Sequence, residues 1–382
     1  MRRTHLFCLF LLVAALCALA AVVAVAQEGP RKDVGETVAK PRKKDSGAPA
    51  AEAEQPKIPS KLSPKNKVEA PEGLPTFKSD VDVVNVEVAV LDNKGHFIPN
   101  IPRQSFRILE DNVPQQIRTF NLGEAPMTVC LVIEFSNLFQ YYWGETWYQT
   151  LTAAYGFLQT LKNEDYVAVV AYDMRPEILS DFSTDKRKAY EAMQRLQIAA
   201  FSESNLFDAI TDTAQRMSSI EGRKAIVLIS SGVDTFSKLT FDKTRKILQD
   251  AGVPIYAIGL MQALREWYDA RGYMGSIARL DFLQADNQMN TFARETGGMA
   301  FFPRFYGEFP SIFQQISQAL RNQYSIAYEP SNKARDGKFR KIKVELVNPA
   351  TNEPLRIVNE KGKPIKYQIL AKAGYTAPRA VE

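Results

Sequence analysis

The 382-residue chain has few of the residues on which common catalytic sites depend. It contains two histidines, and one of them, His5, lies in the apolar N-terminal segment. The other, His96, stands beside Gly95 in a predicted turn. Ser-His-Asp and Cys-His hydrolase sites and histidine-containing zinc sites therefore lack their central residue. We expect His96 to be a surface turn residue, and we assign no residue a catalytic role.

The sequence also lacks the motifs of nucleotide binding, since it has neither a G-x-x-x-x-G-K-[ST] loop nor a G-x-G-x-x-G after a strand. Its formal net charge is +5, from 48 basic and 43 acidic side chains. This balance is too weak to indicate a nucleic-acid partner, which requires basic residues clustered on a folded face. A catalytic pair of carboxylates stays open, because Asp and Glu are plentiful and their spacing singles out no pair.

Cysteine is scarce after the first 26 residues. Cys8 and Cys17 fall in the apolar N-terminal segment, which leaves Cys130 alone in the rest of the chain. An internal disulfide is then impossible, so the fold has to be held together by its core. Cys130 lies in an apolar segment, and we expect it to be a buried small hydrophobic residue.

Residues 1–26 have the pattern of an export signal. Arg2 and Arg3 precede an apolar run from Leu6 to Ala26, which ends in small residues at 24 and 26. This pattern predicts a signal peptide that is cleaved before Gln27, and therefore a periplasmic or secreted protein. The same run is long enough to serve as an uncleaved membrane anchor, and that alternative stays open. A membrane partner is expected only if the segment is retained.

Aromatic residues are absent from residues 27–76, which hold eight of the 21 prolines. Such a segment cannot bury enough apolar surface to offset the entropy of ordering it, so we predict a disordered linker.

Apolar and polar residues alternate in two segments, 77–125 and 323–376, with turn residues between the runs. The alternation is typical of short β-strands with one buried face. Neither segment supplies many strands alone, and pairing would cover sheet edges that are otherwise bare. We therefore predict that the two segments form one small β-sandwich, followed by a tail at 377–382.

Between them, residues 126–322 alternate apolar strands with amphipathic helices. The strand at 128–133 is continuously apolar, as in a parallel sheet that is covered on both faces. Strands and helices at this spacing imply right-handed crossovers. The sequence therefore predicts an α/β fold with a doubly wound, mostly parallel sheet, inserted in the β-sandwich. The predicted helices are Phe139–Leu161, Asp185–Ile198, Leu206–Met217, Phe241–Ala251, Phe282–Thr296 and Ile312–Arg321.

Three polar loops, at 134–138, 202–208 and 230–235, are expected at one edge of this sheet, where open α/β sheets bind ligands. They resemble the loops of von Willebrand factor type A domains, whose patterns are D-x-S-x-S, T-x-L-x-D-A and T-D-G. Residues 106–117 resemble the F-x-v-x-E-D-G-v-p-q-x-I strand of the von Willebrand factor A-related family of secreted bacterial proteins. The resemblance covers about residues 77–376.

In that family the three loops form a metal-ion-dependent adhesion site. A hard cation such as Mg²⁺ is bound there by hydroxyls and water-bridged carboxylates, and an acidic side chain of a partner completes its shell. This sequence departs from the pattern at several positions: Glu134 replaces the first Asp, Leu138 replaces the second Ser, Ser204 replaces the Thr and Ser231 replaces the Asp of T-D-G.

The resemblance therefore predicts a degenerate site. Its candidate ligands are Glu134, Ser136 and Ser204, with Asp234 as a further carboxylate. One strong anionic ligand remains where the family has two, so we expect no resident cofactor and at most weak Mg²⁺ binding. In the alternative interpretation, Ser136 and Ser204 cap helices or turns, and Glu134 pairs with a nearby donor.

Aromatic and arginine side chains, the types enriched in interface hot spots, cluster in two segments, 139–148 and 262–280. Packing of the same residues into the core is an equally acceptable interpretation. The candidate partner-binding residues are Trp267, Tyr268, Tyr273, Arg265, Tyr142 and Trp143.

Together these features favour an exported, non-enzymatic adhesion or scaffolding module that binds a protein partner. Two alternatives belong to other classes. One is a hydrolase of a cell-envelope polymer that uses carboxylates such as Glu134 and Asp234. The other is a structural envelope protein that is anchored by an uncleaved leader.

Overall fold

A computed structural model describes residues 83–136, 143–196, 201–262, 265–266, 270–272, 276–358 and 362–379. The predicted signal peptide and linker lie outside these residues and stay predictions. Within the described ranges, no helix combines the length and the apolar character that crossing a membrane requires.

The structure contains sixteen strands in its described part. They are β1 (Val84–Asp92), β2 (Phe106–Glu110), β3 (Val113–Gln115), β4 (Ile117–Glu124), β5 (Met127–Glu134), β6 (Tyr166–Tyr172), β7 (Pro176–Ser183), β8 (Arg223–Ser230), β9 (Ile255–Gly259), β10 (Ala300–Phe301), β11 (Asn322–Tyr328), β12 (Phe339–Leu346), β13 (Ile357–Val358), β14 (Pro364–Ile365), β15 (Tyr367–Leu370) and β16 (Gly374–Thr376). The helices are α1 (Trp143–Gln159), α2 (Lys186–Gln194), α3 (Leu206–Ser218), α4 (Phe241–Ala251), α5 (Ser276–Thr296) and α6 (Phe309–Arg321).

The central sheet has the strand order β10-β9-β8-β5-β6-β7. All neighbouring pairs are parallel except β6 and β7, so β7 is an antiparallel edge strand. In β5 every residue before Glu134 is buried. This strand can be apolar throughout because helices cover both faces of the sheet.

Alternate residues of β5 contribute to two cores. Leu131 and Ile133 pack in the core that contains Phe157 of α1 and Phe313 of α6. Cys130, on the opposite face, packs with side chains of α3 and α5. The predicted burial of Cys130 is confirmed, and burial raises the pKa of its thiol far above the ordinary value.

The flanking segments form two four-stranded sheets, β15-β1-β11-β4 and β16-β12-β2-β3. Each sheet combines strands from before and after the α/β region, and a shared apolar core contains Val86, Phe106, Tyr324 and Ile342. The predicted fold class, a doubly wound sheet inserted in a β-sandwich, is therefore confirmed.

A buried ion pair lies where the chain passes between these two parts. Arg321 ends α6, just before the chain re-enters the sandwich, and its Nη2 lies 2.7 Å from Oδ2 of Asp165. Asp165 also accepts hydrogen bonds from the backbone N–H of Met127, at the start of β5 (2.9 Å), and of Lys162 (2.7 Å). We call Asp165 and Arg321 the crossover clamp, because they join the first strand of the α/β region, β5, to its last helix, α6.

Two helices begin three or more residues before their predicted starts. Helix α5 begins at Ser276 rather than Phe282, because residues 276–281 contain good helix formers and no breaker. Helix α6 begins at Phe309 rather than Ile312. Its proline lies in the first turn, where a backbone N–H would have no acceptor within the helix, so the missing N–H of proline costs no hydrogen bond. The predicted start of the first helix at Phe139 lies outside the described residues.

Candidate functional site

The carboxyl ends of the central strands bring four polar side chains together. Glu134 ends β5 and is in register with Tyr172, which ends β6. On the other side of β5, Ser230 ends β8, and Ser231 follows it. Parallel strands end at the same edge of a sheet, so these residues meet beside the loop that contains Ser136.

The carboxylate of Glu134 is the centre of a hydrogen-bond network. Its Oε1 accepts from Ser136 Oγ at 2.7 Å. Its Oε2 accepts from Ser230 Oγ at 2.9 Å, from the Ser231 backbone N–H at 2.7 Å and from Ser231 Oγ at 2.8 Å. The Tyr172 hydroxyl donates to Ser230 Oγ at 2.8 Å, which extends the network by one bond. We call these five residues the Glu134 network.

The network explains how the protein tolerates a half-buried carboxylate at this edge. A carboxylate has about four acceptor positions, and three hydroxyls and one N–H fill them. Hydrogen bonds to a charged acceptor are short and strong, and linked bonds polarise one another. The extra methylene of Glu134, compared with Asp, lets the carboxylate reach Ser231, where the family pattern has its second carboxylate.

Tyr172 and Ser230 were not among the predicted site residues. Tyr172 is buried, and this burial together with the charge of Glu134 raises the pKa of its hydroxyl, which therefore remains a donor. Their position in the sequence could have indicated them, because each is the last residue of a strand that pairs with β5.

Ser204 lies within the same edge but has a different environment. Its side chain is fully buried beside the Tyr172 hydroxyl, and among the described residues its Oγ forms no hydrogen bond. Its backbone N–H donates to Thr235 Oγ1 at 2.8 Å, and its carbonyl accepts from the Thr235 N–H at 2.8 Å. The structure thus joins the second and third predicted loops through backbone contacts of Ser204.

Asp234 caps helix α3 from a different loop. Its Oδ1 accepts from the Phe207 backbone N–H at 3.1 Å and from Ser237 Oγ at 2.5 Å. Burial raises the pKa of the Asp234 carboxyl, although these hydrogen bonds act in the opposite direction. The interpretation in which Ser204 caps this helix is wrong, because Asn205 is the N-cap residue and Asp234 supplies the cap bond. Ser136 Oγ donates to Glu134, so Glu134 pairs with a nearby donor, as the same interpretation expected.

These residues do not fit a tightly bound hard cation. Such an ion needs several oxygen ligands and, for high affinity, more than one anionic group. The acceptor positions of Glu134 are filled by protein donors, and Asp234 is used by α3 and Ser237. In the described ranges, no group of three or more His, Cys, Asp or Glu side chains is placed to hold a metal. Leu138 lies outside those ranges.

Of the predicted partner-binding residues, Arg265 is described with its side chain. Its guanidinium forms an ion pair with Asp286 of α5 and contacts Gln262. Arg265 is therefore engaged within the chain. Trp143 begins α1. Three aromatic residues, Trp267, Tyr268 and Tyr273, lie outside the described residues, as does Tyr142.

Residues 142–233 match the family model of the von Willebrand factor type A domain. They include α1, β6 to β8, the loop at 202–208 and the first part of the loop at 230–235. The part of the α/β region within these residues is therefore similar to a von Willebrand factor type A domain. No curated protein matches the sequence.

Several solved structures are similar to this chain at low identity. Proximal thread matrix protein 1 from the mussel byssus, with a zinc-occupied MIDAS motif, is 13% identical over 56% of this chain and 50% of that chain, with a TM-score of 0.41. The vWF domain of the type V pili tip protein Mfa5 from Porphyromonas gingivalis is 14% identical over 52% and 97%, with a TM-score of 0.37. A von Willebrand factor type A protein from Catenulispora acidiphila is 9% identical over 78% and 75%, with a TM-score of 0.39. The matched part of this chain spans about half the length of the mussel protein.

Proposed function

We propose that this protein is an exported, non-enzymatic adhesion or scaffolding module, which binds a protein partner at the carboxyl edge of its α/β domain without needing a divalent cation. The Glu134 network is the observation that carries the proposal. At this position the carboxylate is hydrogen-bonded by uncharged protein donors rather than bound to an ion. The partner surface then keeps its shape whether or not a cation is present.

A cation bound at Glu134 would have to displace the hydrogen bonds that this carboxylate accepts. Each hydrogen bond to a charged group contributes about 1.5–3 kcal/mol, and Glu134 accepts several of them. A dication that used this carboxylate would compete with those donors. It would also find no second carboxylate at Ser231. Both effects lower cation affinity, because ligand charge and number set it.

The same contacts favour binding over hydrolysis. The hydrolase alternative requires Glu134 and Asp234 to exchange protons with a substrate at hydrogen-bond distance. In the structure both carboxylates accept hydrogen bonds from the protein's own backbone and hydroxyl groups. Export rests on the predicted signal peptide. Mass spectrometry of the mature N-terminus tests it, and a chain that begins at Gln27 is the expected result.

Calorimetric titration with Mg²⁺ and Mn²⁺ tests the cation-independent site. We expect no saturable binding at micromolar concentrations for the natural chain. A variant that restores the family pattern, Glu134→Asp with Leu138→Ser and Ser231→Asp, is expected to gain such binding and to lose it again on Ser136→Ala. Micromolar binding by the natural chain that disappears in Ser136→Ala alone would contradict the proposal.

A further inference from the structure

A groove of about 340 Å³ opens at the carboxyl ends of β5 and β6 and along the edge strand β7, next to the Glu134 network. It combines two arginines with an apolar wall, and we call it the arginine groove. The lining residues used below are Phe135, Arg175, Glu177, Leu179, Arg195 and Phe201.

Both guanidinium groups of the groove have unused donors. A guanidinium has five N–H donors. The side chain of Arg175 has no hydrogen-bond or ion-pair partner in the part of the chain that the structure describes. Arg195, which follows α2, donates from Nη2 to the Leu179 carbonyl at 2.5 Å, and this bond holds it over β7. The arginine groove therefore contains two guanidinium groups with N–H donors available to an acceptor of a ligand.

Nearby carboxylates do not satisfy these donors. Asp173 Oδ1 is turned toward its own loop, where it accepts from the Arg175 backbone N–H at 3.3 Å. Glu177 lies on the exposed edge strand and pairs with neither arginine among the described residues. The carboxylate of Glu134 already accepts hydrogen bonds from the serines of its network. Arg175 and Arg195 therefore keep unused donors, although Asp173 and Glu177 line the same groove.

The apolar wall gives the groove a second recognition element. The Phe135 ring is held against Trp147, with ring centroids 4.7 Å apart. Phe201 is 47% exposed, although it is a large aromatic side chain. Leu179 lies beneath the Arg195 bond. Rigid aromatic surface beside arginine is the combination that is enriched in interface hot spots.

We propose that the arginine groove binds an acidic side chain of the partner protein together with an adjacent aromatic or aliphatic residue. The carboxylate bonds to the guanidinium groups of Arg195 and Arg175, for which Arg is geometrically suited. The apolar residue packs against Phe135 and Phe201. The proposal rests on the proposed function and names the partner chemistry of the same edge of the domain.

Two small probes of opposite charge test this chemistry on the full chain. 3-Phenylpropionate carries a carboxylate beside a phenyl ring, and 2-phenylethylammonium carries an ammonium in its place. Ligand-observed saturation-transfer NMR titrations measure the affinity of each. We expect saturable binding of the acid, weakened by salt, and no binding of the amine.

Variants assign the binding to the groove. Arg195→Gln and Arg175→Gln are each expected to weaken the binding of 3-phenylpropionate by about tenfold, because each removes a charge-assisted contact. Arg195→Lys keeps the charge and should fall between them and the natural chain, which separates lost recognition from lost folding. Arg216→Gln, at an exposed arginine of α3, is the matched control and should have no effect.

Equal or stronger binding of the amine would overturn the proposal. Binding of neither probe, or binding that is insensitive to both arginine variants, would overturn it as well. None of these results bears on cation dependence, which the calorimetric titration decides separately. Failure of the groove and failure of the proposed function are therefore distinguishable.

Discussion

Replacing Asp165 by Asn perturbs the crossover clamp with little change in shape. The carboxylate of Asp165 is fully buried and accepts from Arg321, Met127 and Lys162. Asn keeps one oxygen acceptor but leaves the buried guanidinium of Arg321 without a counter-charge. Removing one partner of a buried ion pair costs about 3–5 kcal/mol, and we expect the free energy of unfolding to fall by that amount.

Urea unfolding followed by circular dichroism measures the effect. With a slope of about 3 kcal/mol per molar, the expected loss moves the midpoint down by about 1 M or more. Asp212→Asn is the matched control, because Asp212 pairs with Arg216 on the exposed face of α3. Exposed pairs of this spacing contribute about 0.3–0.5 kcal/mol.

A second variant distinguishes an unpaired charge from a general packing defect. Arg321→Met in the Asp165→Asn background removes the orphaned charge, so stability should partly recover. If Asp165→Asn unfolds at the same urea concentration as Asp212→Asn, or if the double variant is less stable than Asp165→Asn, the account of the clamp is wrong.

The crossover clamp also determines how the stability of the fold changes with pH. Burial alone would raise the pKa of Asp165, but the bonds from Arg321, Met127 and Lys162 outweigh it, and the pKa lies below the ordinary 3.8. A carboxyl with a depressed folded-state pKa adds stability above its unfolded pKa and loses it as pH falls through the folded value. This acid-dependent loss, below about pH 4, should be absent in Asp165→Asn.

Two further substitutions test the carboxyl edge of the sheet. Tyr172→Phe removes the donor to Ser230 and should lower the free energy of unfolding in urea by about 1 kcal/mol. The control is Tyr256→Phe, which should cost nothing, because the buried hydroxyl of Tyr256 forms no hydrogen bond among the described residues. Equal losses in the two variants would refute the network. Asp234→Ala removes the cap of α3 and should lower the stability measured by thermal unfolding by about 0.5–2 kcal/mol. Asp234→Asn keeps an acceptor and should cost less. If Asp234→Ala is as stable as the natural chain, the cap is dispensable.

The fold could be predicted because its signals are local and repeated. The apolar run at 128–133 fits only a strand that is covered on both faces, and helices follow at the spacing of crossovers. The sandwich could be predicted because each flanking segment would otherwise leave bare edges. The periodicity of the chain is enough to predict both parts of the fold, and the position of no single side chain is needed.

The site was less accessible from sequence. The register of parallel strands does bring Glu134 and Ser136 together with Ser230 and Ser231, as the loop pattern implied. The role of Asp234 depends on which way a side chain turns between two loops, and periodicity carries no such information. The same holds for Asp165, which is 156 residues away from Arg321 and resembles an ordinary turn residue in sequence.

The insertion of one part of the chain within the other has a mechanical consequence. The α/β region is joined to the sandwich by two backbone connections, from β4 to β5 and from α6 to β11. A force applied at the carboxyl edge of the sheet would be shared between these two connections. Asp165 and Arg321 hold the two connections next to each other, so we expect the junction to resist sliding of one connection along the other.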